Sequence, residues 1–304
     1  MTTSGIVVDL IEAFRRSKTM FAAVELGVFD GARPTAYQEL DRLLAACAAL
    51  GLLEQRGEEY VNTPEADRYL RSDSPDTLAG YVRYSSNVLY PMWAHLEDAV
   101  REGTHRWGQT FGFEGPLFSH FFRTEEAMRD FLKGMHGFGQ LSSPAVVAAF
   151  DLSRFQHLVD LGGASGHLAA AARERYPHMH TTVFDLPAVA RIYPDVTPGD
   201  FFTDPLPPAD LYALGRILHD WSEEKMRTLL AKIYDALPTG GALLIAEKLL
   251  DNVAAHMQSL NMLIVTEGRE RTAEEYRALA EAAGFTHVES RRTGAPLDAT
   301  LAVK

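Results

Sequence analysis

The residues of this sequence equipped for chemistry fall in its second half. His157 to Gly166 reads HLVDLGGASG, an apolar run ending in the Asp160 carboxylate, then Gly162, Gly163 and Gly166, then an alanine-rich segment from Leu168 to Arg175. A strand, a glycine turn and a helix start in that order let the backbone approach a ligand closely, with helix N–H groups facing it. Asp185 ends the next apolar run, where nucleotide-binding folds place an acid that accepts both ribose hydroxyls. Gly199-Asp200-Phe201 then offers an acid and an aromatic face, suited to an adenine amino group and its ring. The stretch GRILHDW, residues 215–221, carries His219, a general-base candidate because imidazole titrates near neutral pH. Glu247 and Glu270 are acids able to orient such a ring and stabilise its cation. Each has a plain structural alternative: a helix cap for Asp185, a turn for Gly199-Asp200, a core histidine for His219. Their order after one glycine loop makes them support each other.

These residues need a sheet that delivers them to one edge. Strand candidates are 157–161, 181–185, 210–217, 242–249, 286–292 and 298–303, and the first four are near-continuous apolar runs, as in parallel strands buried on both faces. Helical segments at 167–176, 222–237 and 272–283 separate them. The last two strands read as an antiparallel hairpin at the sheet edge. His219 and Glu247 then stand at the carboxyl ends of strands, where open α/β sheets bind ligands. The first half differs. Residues 5–29 show helical spacing of Ile6, Leu10, Ile11, Phe14, Phe21, Val24 and Val28. A second helix is expected from Tyr37 to Leu53, and LLEQRGEEYVNT reads as a hairpin turning at Gly57. Helix, helix, hairpin is a winged-helix outline. Thr63-Pro64-Glu65 starts another helix. Residues 75–150 read as helical and aromatic, mostly as packing core, with Phe131 and Met135, one turn apart, as a candidate clamp for a planar ring. The domain boundary is placed near residue 150, giving 1–150 and 151–304.

Composition limits the alternatives. The chain has 304 residues and a formal net charge of −12, which opposes a nucleic-acid partner and DNA binding by the winged outline. A lone cysteine, Cys47, excludes an internal disulfide framework and fits a reducing, cytoplasmic setting. No apolar stretch approaches a membrane span, and the charged N-terminus does not read as a secretory signal. The dinucleotide fingerprint G-x-G-x-x-G fails at Leu161, which disfavours an NAD-dependent reductase.

The spacing D-x-G-x-x-x-G resembles the cofactor loop of S-adenosylmethionine (SAM) methyltransferases, with Ala164 where many members carry a middle glycine. FDLSRF, VDLGGASG, VFDLP, GDFFTDPLPPADLY, RILHDW, SLNML, TEGRERT and DATLA extend the likeness over about Gly5 to Lys304. The chain resembles the class I SAM-dependent small-molecule O-methyltransferases, and among them the acetylserotonin (hydroxyindole) O-methyltransferases and acetylserotonin O-methyltransferase-like proteins. The resemblance implies an α/β protein, with a Rossmann-like C-terminal catalytic sheet and a helical, winged-helix-like N-terminal domain that makes a homodimer. It implies a small aromatic hydroxyl acceptor and no metal. It also implies that Gly162, Asp185, Gly199, Asp200, Phe201 and Arg216 hold SAM. His219 would be the base, flanked by Glu247 and Glu270, and Asp220 and Asn261 would touch the acceptor. Two segments are shorter than the family pattern: that between Asp30 and Leu43, and Pro187 to Pro198. The latter is too short for a crossover of about a dozen residues and a further strand, so the third strand is expected to be incomplete. The shortened segments also leave room for a second reading, a catalytically silent protein that kept the fold, which the three intact residues His219, Glu247 and Glu270 oppose.

Overall fold

A computed structural model of the chain describes residues 5–32 and 38–304. They pack as two compact units, one ending at Tyr90 and one running from Pro91 to Lys304. Near residue 150 the pattern changes from helices to alternating strands and helices.

In the first unit a helix spans Ile6–Glu25, stopping where Gly27 takes a left-handed φ of 69°. A second helix covers Leu40–Ala49; its expected start at Tyr37 lies outside the described residues. β1 (Leu53–Arg56) and β2 (Glu59–Asn62) form an antiparallel hairpin about Gly57, with Arg56 opposite Glu59. Ala23, Val24, Phe29, Leu44, Cys47 and Leu53 are buried together as its core.

The second unit holds a seven-stranded sheet whose strands lie in the order Thr197–Pro198, His180–Asp185, His157–Leu161, Leu211–Gly215, Ala242–Glu247, Asp298–Val303 and His287–Arg291. In chain order these are β3 (His157–Leu161), β4 (His180–Asp185), β5 (Thr197–Pro198), β6 (Leu211–Gly215), β7 (Ala242–Glu247), β8 (His287–Arg291) and β9 (Asp298–Val303). β3 to β7 run parallel, while β9 lies antiparallel between β7 and β8. β6 and β7 are apolar because both faces are covered. Helices Glu125–Ala148 and His167–Arg175 bury Val146, Val147, Leu168 and Ala172 with Leu158, Leu211 and Leu244 on one face. Helices Glu223–Ala236 and Ala273–Ala282 bury Met226, Leu229, Ile233, Tyr276 and Leu279 with Val159, Tyr212 and Leu243 on the other. The third strand is indeed reduced: β5 is two residues long and its crossover helix is the single turn Pro187–Ala190. One element escaped the sequence reading. A helix spans Val253–Val265, and its N-cap Asn252 accepts from the Ala255 N–H. Among the described residues no helix is long and apolar enough to cross a membrane.

Candidate active site

The glycine loop follows β3 directly. Gly162 has a left-handed φ of 69°, and a Cβ there would stand 2.5 Å from Ile217 Cδ1 and 3.4 Å from Phe201 Cε1. Gly162, Phe201 and the turn before His219 therefore close on one another, and only a residue without a side chain fits the floor. Ala164 also lies in the left-handed region, at φ 48°. A non-glycine residue there costs roughly 1–2 kcal/mol, which gives the physical reason for glycine at that place in similar loops. Its N–H donates to Asp185 Oδ2 at 2.8 Å, and the Leu186 N–H donates to Asp185 Oδ1 at 2.7 Å. Each carboxylate oxygen keeps acceptor capacity beyond that one bond. Burial pushes the Asp185 carboxyl up to about 6. The short β5 still reaches its place: Gly199 N–H donates to Asp185 O at 2.9 Å, setting Asp200 and Phe201 beside Asp185 and Gly162. Asp200 Oδ1 accepts from the Phe202 N–H. Arg216, the residue after β6, takes φ 59° and stacks its guanidinium over Phe138, 4.5 Å from the ring centroid.

His219 is buried in a short turn, Leu218–Asp220, beyond the end of β6. Its Nδ1 lies 2.7 Å from Glu270 Oε1 and 3.1 Å from Glu247 Oε2. Glu247 is the last residue of β7. Its Oε1 accepts the N–H groups of Ile217 (2.9 Å), Leu218 (2.8 Å) and His219 (3.4 Å), which ties the turn to the neighbouring strand. With Nδ1 held by the carboxylates, Nε2 is the ring nitrogen left to exchange a proton, and Asp220 Oδ1 stands 3.6 Å from it. Burial alone would push the imidazole down, but Glu247, Glu270 and Asp220 outweigh it and lift it to about 9. Burial pushes Glu247 up to about 7 against the pull of His219, and Asp220 up to about 6.

His219, Glu247 and Glu270 have the donor types of a metal site. Their spacing argues otherwise. Ligand atoms around a tetrahedral zinc with bonds of about 2.0 Å stand roughly 3.3 Å apart, whereas 2.7 Å between Nδ1 and Oε1 is a charge-assisted hydrogen bond.

The remaining candidates lie on two helices, Glu125–Ala148 and Val253–Val265. Asn261 is buried on helix Val253–Val265, and its Oδ1 accepts from Trp93 Nε1 at 2.9 Å, which leaves the amide NH2 as the end free to donate. The chain after that helix returns to the base, where Glu267 N–H donates to Asp220 O. Phe131 packs in an aromatic layer with Phe121 (centroids 4.6 Å apart) and Phe122 (6.3 Å), near Ala164. Met135 is half-buried one turn further along the same helix. Sequence reasoning missed Trp93 and Gly268. The Trp93 partner is remote in the chain, and Gly268 sits in TEGRERT without a neighbour that betrays its role. A Cβ at Gly268 would stand 2.2 Å from the His219 carbonyl oxygen.

Known proteins resemble this chain over nearly its whole length. The family described as an O-methyltransferase domain matches residues 93–286. Acetylserotonin O-methyltransferase of Gallus gallus is 41% identical over 335 residues, covering 98% of this chain and 97% of that protein. The crystal structure of human N-acetylserotonin methyltransferase in complex with SAM superposes with a TM-score of 0.95 at 37% identity, over 100% of this chain and 99% of the other. The structure named PigF with SAH superposes at 0.87 and 28% identity over the full length of both chains.

Proposed function

We propose, from the premise that this chain belongs to the O-methyltransferase domain family and is a SAM-dependent O-methyltransferase, that it methylates the hydroxyl of a small aromatic acceptor, a phenol or a hydroxyindole of the acetylserotonin kind, with His219 as general base. The observation that supports this most is the buried imidazole with Nδ1 hydrogen-bonded to Glu270 and Nε2 approached by Asp220 Oδ1 only at 3.6 Å, at the carboxyl edge of the sheet. When bound, SAM supplies an electrophilic methyl group. Gly162 and Phe201 bound its groove, Asp185 accepts the ribose hydroxyls, Gly199 and Asp200 border the adenosine, and Arg216 completes the cofactor side. His219 Nε2 takes the acceptor's proton, Glu270 and Glu247 stabilise the cation that results, and no metal ion takes part. Asp220 and Asn261 hold the acceptor, and Phe131 and Met135 clamp its ring. The deciding experiment is transfer of label from methyl-labelled SAM to a panel of phenols and hydroxyindoles, N-acetylserotonin included, with and without a chelator. Labelled aromatic methyl ethers that form equally in both supports the reading; transfer only to nitrogen or carbon acceptors, or only with added metal, overturns it.

The base must be neutral to accept a proton, and its carboxylate neighbours raise its pKa. Below the pKa the ring is the imidazolium and inactive; above it the ring is the imidazole and active. The value for kcat/KM of SAM, which reports the free enzyme, is therefore expected to rise with pH through the neutral range, with its midpoint near 9 and its plateau above that, as one titration of the whole cluster. Glu270→Gln removes a charge that lifts the ring, so the rise should move to lower pH while the plateau falls. A profile flat from pH 6 to 9.5 would remove the base from the mechanism.

The N-terminal half is the proposed dimerisation region. On helix Ile6–Glu25, Ile6, Leu10, Ile11 and Phe14 are 76%, 64%, 63% and 54% exposed, a contiguous apolar face of the kind that a second copy covers. Light scattering at micromolar concentration should give a dimer, and Leu10→Glu with Phe14→Glu a monomer. A wild-type monomer would end the proposal.

A further inference from the structure

Two cations at the carboxyl edge of the sheet, Arg216 and Lys248, are charged groups that act on each other across one ring. Arg216 follows β6 and Lys248 follows β7, and these strands pair with Gly215 opposite Ala246, so the sheet delivers both side chains to one edge. Arg216 N–H donates to Ala246 O at 3.0 Å. Lys248 Nζ lies 5.6 Å from the centroid of Phe138, the ring on which the Arg216 guanidinium stacks at 4.5 Å. Arg216 Nε is buried without a hydrogen-bond partner among the described residues. The acids that act on the pair are spent elsewhere: Glu247, Glu270 and Asp220 all stand against His219. Lys248 is held below its ordinary pKa, by burial first and then by Arg216, as befits an ammonium beside a like charge. The same helix ties this place to the glycine loop. His136, two residues before Phe138, has its Nδ1 2.7 Å from Ser165 Oγ, and His167 at the start of the next helix feels the Arg216 charge.

We propose that Arg216 and Lys248 together seat a carboxylate beside the Phe138 ring, which makes Lys248 a further binding residue of this reaction. Two like charges over one apolar ring, partly out of water, gain most from an anion that meets both. The carboxylate has two sources, the methionine part of SAM or an acidic group on the acceptor. The first arm of the test rests only on SAM binding, so its failure is separate from any failure of the acceptor or base assignment.

Calorimetric titration of the full chain would compare SAM with its decarboxylated analogue on wild type, Lys248→Met and Lys248→Arg. If the cofactor's carboxylate is seated there, Lys248→Met weakens SAM about tenfold, leaves the decarboxylated analogue unchanged, and Lys248→Arg restores most of the loss. If the acceptor's is, SAM affinity holds, while KM of a hydroxyaryl carboxylic acid rises about tenfold and that of its neutral amide does not. Equal weakening of SAM and its analogue, or no change in either arm, overturns the proposal. Lys248→Gln serves as the second variant should Lys248→Met fail to melt like wild type.

Discussion

His219→Gln is expected to lower kcat by at least about a hundredfold while leaving SAM affinity close to that of wild type. A phenol or hydroxyindole hydroxyl has a pKa of about 10, so it is almost wholly protonated at neutral pH and a poor nucleophile. A positioned base that removes the proton as the new C–O bond forms contributes roughly 10²–10⁴-fold. Glutamine fills much of the same volume, and its amide can still donate to Glu270, so the buried acids keep a partner. It cannot accept the proton. The cofactor side, built from Gly162, Asp185, Gly199 and Phe201, is held by bonds that do not include the ring. Single changes of Glu247 or Glu270 to Gln should each cost less than loss of the base, and the losses should not add, because the three act as one unit. Near-full turnover by His219→Gln would mean another base. Loss of SAM binding with it would make His219 a structural residue.

Much of this site is legible in the sequence because its chemistry is tied to strand ends: β3, β6 and β7 announce themselves as apolar runs, and β4 as the β-branched and aromatic run TTVF. The glycine loop, Asp185, His219 and Glu247 each close such a run or directly follow one. Helix Val253–Val265 left no such mark. Its sequence VAAHMQSLNMLIV is apolar on nearly all sides, so no 3.6-residue period stands out. Asn261 was placed by likeness, yet its Trp93 partner depends on a fold that brings distant segments together. The two-residue β5 shows the opposite case. A crossover too short for a full helix predicts a damaged strand, but two pairings with β4 and the Gly199–Asp185 bond suffice to carry Asp200 and Phe201 to the groove.

Gly268→Ala is expected to cost as much as many changes to the catalytic residues themselves, though Gly268 bears no functional group. The Cβ would stand 2.2 Å from the His219 carbonyl oxygen, 2.8 Å from its carbonyl carbon and 2.7 Å from the Trp221 nitrogen. All three are backbone atoms of the turn that presents the base, so no side-chain rotation makes room. Glu247 already pins the other side of that turn through three N–H groups, and so the new methyl has to push the turn off its anchor or push the 266–268 segment away from it. Either movement shifts Nε2 relative to the acceptor oxygen, and a displacement of about 1 Å at a reacting group costs on the order of 10²-fold. Stability should fall as well, by about 1–3 kcal/mol, the usual penalty for added volume in a packed interior. The glycine loop and Asp185 are untouched, so SAM should bind with little change and the loss should appear in kcat. A kcat within a few-fold of wild type in a variant that melts normally would show that the 266–268 segment does not set the position of His219.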